Sequence, residues 1–430
     1  MSQKAGSLVD IVNLFKPQAL TGAQLAFYQE TSAVRDGASY EFYKGLYRRI
    51  KDSNTHDRLL VVGHGGCGKS TELHMLIKKL SDDNFAPIHI DAQDDLDLYN
   101  FTYIDIFMLI VERVAQYAKE RDLKNVDAHI LSAFQKALST KTASEYWAEG
   151  AEASVDASIS VSASIPFFLS GMAKITSALK MASEVKEELR REISPRIYDV
   201  VGALNTFVEH ISELASRQIV IIIDGLEKCR HERVRKLFVE DITAILDIKA
   251  HLVIACPIAV YRSADAGVLS SYFTTPVVIP MIKTHHEDGS PFPEGVDVIE
   301  ALILKRAESS FFEEDVLKTI ISNAGGSLRD TCYLLSNSAF EASMRDRETV
   351  DMDSVNVTLK KFTSDVFFRV DAKLYPRVKE IYNGNHLAKQ EPEQSELLYC
   401  GAVFEYNGDR WIDLHPLLRK YLETHPEVLS

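Results

Sequence analysis

Between positions 63 and 71 the chain runs Gly63-His64-Gly65-Gly66-Cys67-Gly68-Lys69-Ser70-Thr71. Glycines at this density let a backbone fold closely around an anion and turn its N–H groups inward, and the helix expected after the loop would add partial positive charge at its N-terminus. The run fits GxxxxGK[ST] at every fixed position, so Lys69 is placed to reach the outer phosphates of a polyphosphate, Ser70 to ligate Mg²⁺ and Thr71 to touch the α-phosphate. The competing reading is a glycine-rich turn with no ligand. Cys67 beside the phosphates would favour a thiolate, and is otherwise a small filler of the loop.

A second carboxylate-bearing segment answers the first. Asp224 ends the run Ile219-Val220-Ile221-Ile222-Ile223 and could hold the same Mg²⁺ through water. Glu227, three residues on, is placed to orient or deprotonate an attacking water. Its alternative is a surface pair with Lys228 or Arg230.

These groups need a scaffold, and the hydrophobic pattern supplies one. Leu59 to Val62, Ala86 to Ile90, Gln218 to Ile223, His251 to Cys256 and Pro276 to Met281 read as buried strands, the isoleucine-rich one central. Helical patterns separate them; Leu73, Leu76, Ile77 and Leu80 make one apolar stripe after the glycine loop. Strand-helix alternation implies an α/β fold with a parallel sheet. Residues 1–57 read as an N-terminal helical segment, 58–285 as the core with an inserted segment at about 139–195, 286–368 as a helical unit broken at Gly325-Gly326, and 369–430 as a final domain. In that domain Asn407-Gly408 marks a hairpin between helices, which suggests a winged helix.

Two stretches resist simple assignment. Asp91, Asp94, Asp95 and Asp97 lack the spacing of a calcium loop and read as a solvated acidic loop. Ala151 to Ile165 alternates Ala, Val and Ile with Ser, Glu and Asp, the period of a strand or hairpin; a lipid face built from such small residues would be weak.

The motifs resemble those of a known group. Asp224-Gly225-Leu226-Glu227-Lys228 is similar to the DGLDK form of the second motif in a bacterial branch of the AAA+/STAND P-loop ATPases, related to the origin-recognition or MNS-clade ATPases. The form around Gly63 to Leu73 is similar to the same branch, and Gly325-Gly326-Ser327-Leu328-Arg329-Asp330 resembles its GGxxRD lid start. The resemblance implies a P-loop NTPase sheet with a helical lid and a C-terminal winged helix, binding ATP or ADP with Mg²⁺. It implies catalytic roles for Lys69, Asp224, Glu227 and Arg329, the last reporting on the γ-phosphate from the lid; the alternative for Arg329 is a salt bridge with Asp330. His415 would be a nucleotide contact from the winged helix or an ordinary core histidine. The chain departs from the pattern at Cys256-Pro257, where a polar group is usual, and neither Arg262 nor Arg306 sits in a telling arginine-finger motif.

Composition bounds the function. A net charge of −14 disfavours a nucleic-acid coat, while leaving a local basic patch open. No run reaches the roughly 18 apolar residues of a spanning helix, and no signal sequence opens the chain, so a cytoplasmic protein without membrane contact is expected. Five scattered cysteines without CxxC spacing read as reduced thiols. The reading that unites these features is a slowly hydrolysing ATP switch that oligomerises and regulates an effector encoded nearby, plausibly in antiphage defence. A DNA-associated loader or remodelling ATPase and a non-hydrolysing scaffold are the alternatives.

Overall fold

Strands that are apolar on both faces must be covered on both faces. Leu59 to Val62, Ile219 to Ile223 and Leu252 to Cys256 satisfy this, none being more than 3% exposed. The computed structural model describes residues 3–37, 40–152, 164–181, 184–274, 276–406 and 411–429. Its main sheet holds β1 (Arg58–Gly63), β2 (Phe85–Asp91), β3 (Gln218–Asp224), β4 (His251–Pro257) and β5 (Val277–Ile279), in the order β2-β3-β4-β1-β5. All recorded pairings in it are parallel, with Asp91 opposite Asp224 and Gly63 opposite both Pro257 and Ile279. The isoleucine-rich β3 is interior, although the middle of the sheet is β4. Because parallel strands share a direction, β1 and β3 both end at the same edge of the sheet, where loops converge on a crevice.

Helix Lys69–Ser81 follows β1 and buries Leu73, Leu76 and Leu80 completely. Between β2 and β3 the chain makes helix Tyr103–Glu120 and then a helical insert, of which Ile165–Lys180 packs on Tyr103–Glu120. The strand expected over Ala151 to Ile165 is overturned at both ends: Ala151 and Glu152 finish helix Lys141–Glu152, and Ile165 opens the next helix. Residues 153–163 lie outside the described residues. Alternation of small residues fits a strand but does not exclude a helix, since Ala and Ser carry little cost in either.

The acidic loop is solvated only in part: Asp94 is exposed, whereas two of its carboxylates are paired and Asp105 in the helix that follows is paired as well. Asp95 pairs with Arg113, Asp97 with Lys186 at 2.7 Å, and Asp105 with Arg190. Lys186 is 1% exposed, and a cation is stable at that depth only with a partner. The insert therefore grips the loop that leaves β2.

The helical unit has more breaks than the one expected. Helices Pro293–Leu304, Val316–Ala324, Leu328–Ser343 and Met352–Phe368 are separated also at Asp315 (φ 63°) and Asp346 (φ 54°), left-handed positions that aspartate tolerates. Between β3 and β4 the helical stretch His231–Lys236 and Ile242–Leu246 is likewise interrupted, by a π-helical turn at Leu237–Asp241. In the C-terminal segment, helices Tyr375–Tyr382 and Pro392–Cys400 precede an antiparallel pair, β6 (Val403–Tyr406) and β7 (Trp411–Leu414), and helix Pro416–Thr424 follows. The turn at Asn407-Gly408 lies outside the described residues. The hairpin leans on the main sheet: Met281 N–H donates to Glu405 O at 3.1 Å, and Arg262 makes a bidentate ion pair with the fully buried Glu405.

The N-terminal segment is less helical than expected, with helix Leu8–Leu14, two 3₁₀ turns at Gly22–Phe27 and Ser32–Val34, and helix Phe42–Asp52. Its first helix packs on Leu328–Ser343. Among the described residues no helix is long and apolar enough to cross a membrane.

Candidate functional site

The glycine loop leaves β1 at Gly63 and turns with φ of 90° at Gly66 and 105° at Gly68, conformations that side chains disfavour. A Cβ on Gly66 would lie 2.5 Å from Cβ of Arg329, so the loop also needs glycine for close approach. Lys69 is 3% exposed. Its ammonium donates to Gly63 O at 3.1 Å and His64 O at 2.8 Å, and stands 3.9 Å from Glu227 Oε2.

Asp224, 1% exposed at the end of β3, accepts from Gly225 N–H at 2.7 Å, and the Ser70 hydroxyl nearby favours its charged form. Burial first and the Glu227 carboxylate second push its pKa up. Burial acts the same way on Glu227, but Lys69, then the residue's own backbone N–H and then Arg329 outweigh it and hold Glu227 below the ordinary carboxylate value. Glu227 Oε2 is buried without a hydrogen-bond partner. An unpartnered acceptor in a polar cleft is a group held ready for a donor that arrives with a ligand or water.

Arg329 reaches this cluster from the first turn of helix Leu328–Ser343, 3.9 Å from Glu227 Oε1. The same helix start is fastened to the loop by its backbone: Leu328 N–H and Arg329 N–H both donate to Gly66 O, at 3.1 and 3.3 Å. Ser327 caps the helix by accepting from Asp330 N–H, as an N-cap serine does. Lys69, Ser70, Asp224, Glu227 and Arg329 are thus brought together from three distant segments. Beside them opens a cavity of about 880 Å³ lined by Gly66, Gly68, Lys69, Ser70, Thr71, Glu227 and Arg329, and also by Pro17 to Ala19 and Thr21 to Gln24 of the N-terminal segment, Leu302, Arg306 and Cys332. That volume suits a nucleotide. The residues also fit the group chemically: the amides of a glycine loop and two cations for phosphates, a hydroxyl and a carboxylate for Mg²⁺.

Other expected site residues face elsewhere. Gly63, His64, Gly65 and Cys67 do not line the cavity, and Asp224 stands behind its lining rather than in it. The His64 ring turns toward the C-terminal hairpin, where Nε2 accepts from Glu405 N–H at 2.8 Å and the ring meets Phe404 edge to face. Cys67 is fully buried. Thr71 Oγ1 accepts from Leu20 N–H at 3.3 Å, so the hydroxyl expected at the α-phosphate is shared with the N-terminal segment. Glu227 turns inward rather than to Lys228 or Arg230, and Arg329 leaves Asp330 to His415. His415 is fully buried; its Nε2 stands 3.5 Å from Asp330 and its Nδ1 accepts from Leu417 N–H. Of its two expected roles the core histidine holds, with the addition that it ties the C-terminal segment to the residue next to Arg329.

Arg35 was not foreseen. Its buried guanidinium lies behind the loop, donating to Cys67 O at 2.7 Å and to Pro280 O. A single arginine in a region of turns carries no periodic or spacing signal that would have found it.

His64 gives a pH-dependent expectation. Burial, then the nearby Lys69 and Arg262 cations, hold its pKa down to about 3. An unfolded histidine takes up its proton near pH 6.5, so the stability contributed by neutral His64 is complete above that pH and is lost as pH falls toward 3, by about 1.4 kcal/mol per unit. His64→Gln keeps an acceptor without a titrating ring. Its urea midpoints between pH 6.5 and 4.5 should therefore fall less steeply than those of the natural chain, and parallel curves would show that His64 is not the buried titrating group.

Residues 40–256 match the model of the KAP family P-loop domain. No curated protein matches the chain. Among solved structures, Cdc6p from Pyrobaculum aerophilum aligns at 13% identity over 96% of this chain and 98% of that one, with a TM-score of 0.38. The ORC1 protein of Aeropyrum pernix, solved in complex with DNA, aligns at 15% identity over 92% and 95%, with a TM-score of 0.40. The Thermotoga maritima RuvB Holliday junction branch migration motor aligns at 12% identity over 93% and 98%, with a TM-score of 0.35.

Proposed function

The chain belongs to the KAP family, whose P-loop domain occupies half its length, and from that premise we propose that it is an ATP-binding, slowly hydrolysing switch of the AAA+/STAND type. The observation that carries the proposal is the meeting of Lys69 and Arg329 on Glu227, at 3.9 Å each. A γ-phosphate entering between them draws on both cations, and Glu227 is then free to take a proton from water. Ser70 and Asp224 would hold Mg²⁺, which supplies charge neutralisation to the leaving phosphates. Lys69 and the amides of Gly66 and Gly68 orient the phosphates, and Arg329 carries the state of the site into helix Leu328–Ser343.

Output runs from that helix in this reading. Asp330 touches His415, and Tyr406 Oη donates to Gly325 O at 2.9 Å, so a shift of the lid strains the C-terminal segment. We take residues 286–368 as lid and 369–430 as a winged-helix domain. We infer that the lid state governs assembly of further copies of the chain and action on a protein effector; the STAND resemblance points to bacterial antiphage defence, in the cytoplasm.

A second reading, nucleotide binding without turnover, is favoured by one feature. β4 ends in Cys256-Pro257, both buried, and offers no polar side chain toward the water that hydrolysis needs. Turnover assays with and without DNA, together with solution mass in ADP and in a non-hydrolysable ATP analogue, separate the readings. The switch predicts slow turnover indifferent to DNA and a larger assembly with the analogue than with ADP. Mass unchanged by either nucleotide would sink it, turnover stimulated by DNA would favour a loader, and nucleotide uptake with no turnover would favour the scaffold.

A further inference from the structure

The wall of the cleft carries a cation that the phosphate chemistry does not use. Arg306 follows helix Pro293–Leu304, is 6% exposed and lines the cavity. Its Nε is buried with no hydrogen-bond partner. The rest of the guanidinium is held in place: it lies 5.4 Å over the Phe15 ring, and Nη1 donates to Leu14 O at 3.4 Å with Cys332 Sγ at 3.9 Å. The other cations of the cavity are engaged elsewhere, Lys69 and Arg329 with Glu227 and Lys228 with Asp91.

The position of Arg306 along the cleft follows from its neighbours. Thr71, at the α-phosphate end of the loop, is joined to Leu20, so the stretch Pro17 to Gln24 borders the part of the ligand beyond the α-phosphate. Arg306 is fastened to Leu14 and Phe15, just before that stretch, with Leu302 and Cys332 also on the cavity wall. A planar guanidinium among apolar side chains suits a flat heteroaromatic ring, and its N–H groups are donors only, which selects ring nitrogen or carbonyl acceptors. A buried donor without a partner costs free energy until an acceptor reaches it.

Resting on the nucleotide reading above, we propose that Arg306 recognises the base of the bound nucleotide through an acceptor on the ring. It is a specificity residue rather than an arginine finger, because it faces the cleft of its own chain.

The test is binding of ATP, ribose 5-triphosphate and inorganic tripolyphosphate, each with Mg²⁺, to the full chain and to Arg306→Lys, Arg306→Gln and Lys69→Ala. The expected result is a loss of tenfold or more in ATP affinity for both Arg306 variants, with the two base-free ligands bound as by the natural chain, whereas Lys69→Ala loses all three. Retained tripolyphosphate binding shows that a variant has kept its fold. Unchanged ATP affinity in the Arg306 variants, or an equal loss of all three ligands in both, overturns the proposal, and loss of ribose 5-triphosphate with ATP moves the contact from base to sugar and overturns it as stated. Failure of the natural chain to bind any of the three would instead remove the nucleotide reading itself.

Discussion

Lys69→Ala should weaken ATP binding by about a hundredfold or more, the largest single effect expected at this site. The ammonium is buried and its only recorded donations are to the carbonyls of Gly63 and His64, weak acceptors compared with a phosphate oxygen. Two charge-assisted bonds to phosphate at roughly 1.5 kcal/mol each give about 3 kcal/mol, a factor of about 150 in affinity. The same substitution leaves Glu227 buried without its nearest cation, which raises the carboxyl pKa and costs stability. Lys69→Met keeps the apolar stem and isolates the charge. Titration of a fluorescent ATP analogue, with thermal unfolding of each variant alongside, reads both effects. Affinity within threefold of the natural chain in both variants would mean that the ammonium does not face the phosphates.

Glu227→Gln should separate turnover from binding. The amide preserves the shape of the side chain and keeps an oxygen beside Arg329, but it cannot take a proton. A general base contributes about 10²- to 10⁴-fold to such reactions, so phosphate release should fall at least a hundredfold while ATP affinity stays within about threefold or rises, since one negative charge next to the γ-phosphate is gone. Turnover equal to that of the natural chain would reduce Glu227 to a counter-ion of Lys69 and Arg329. The structure makes this a sharp test, because Glu227 Oε2 has no other hydrogen-bond partner whose loss would confuse the result.

The sequence by itself determined the strands, the anion-binding loop and the acid that faces it. Each is encoded locally: Leu59 to Val62 and Ile219 to Ile223 are apolar at every position, and glycine spacing up to Lys69-Ser70 needs no distant residue to define it. The same local character misled at Ala151 to Ile165, whose ends are helical because small residues accept either backbone. Periodicity also ran straight through Asp315 and Asp346, since a left-handed break needs only one tolerant residue.

Tertiary structure alone decided which charges meet. Asp97 finds Lys186 across 89 residues, Arg35 finds Cys67 O, and His64 finds Glu405 N–H across 341. A lone ionisable residue has no period and no fixed spacing to its partner, so its role is set only when the chain is packed and desolvation forces every buried charge to be paired. Thus the loop that cradles an anion was legible from its own residues, whereas the turning of His64 away from it, the arginine behind it and the unpartnered Nε of Arg306 on the cavity wall are properties of the folded chain.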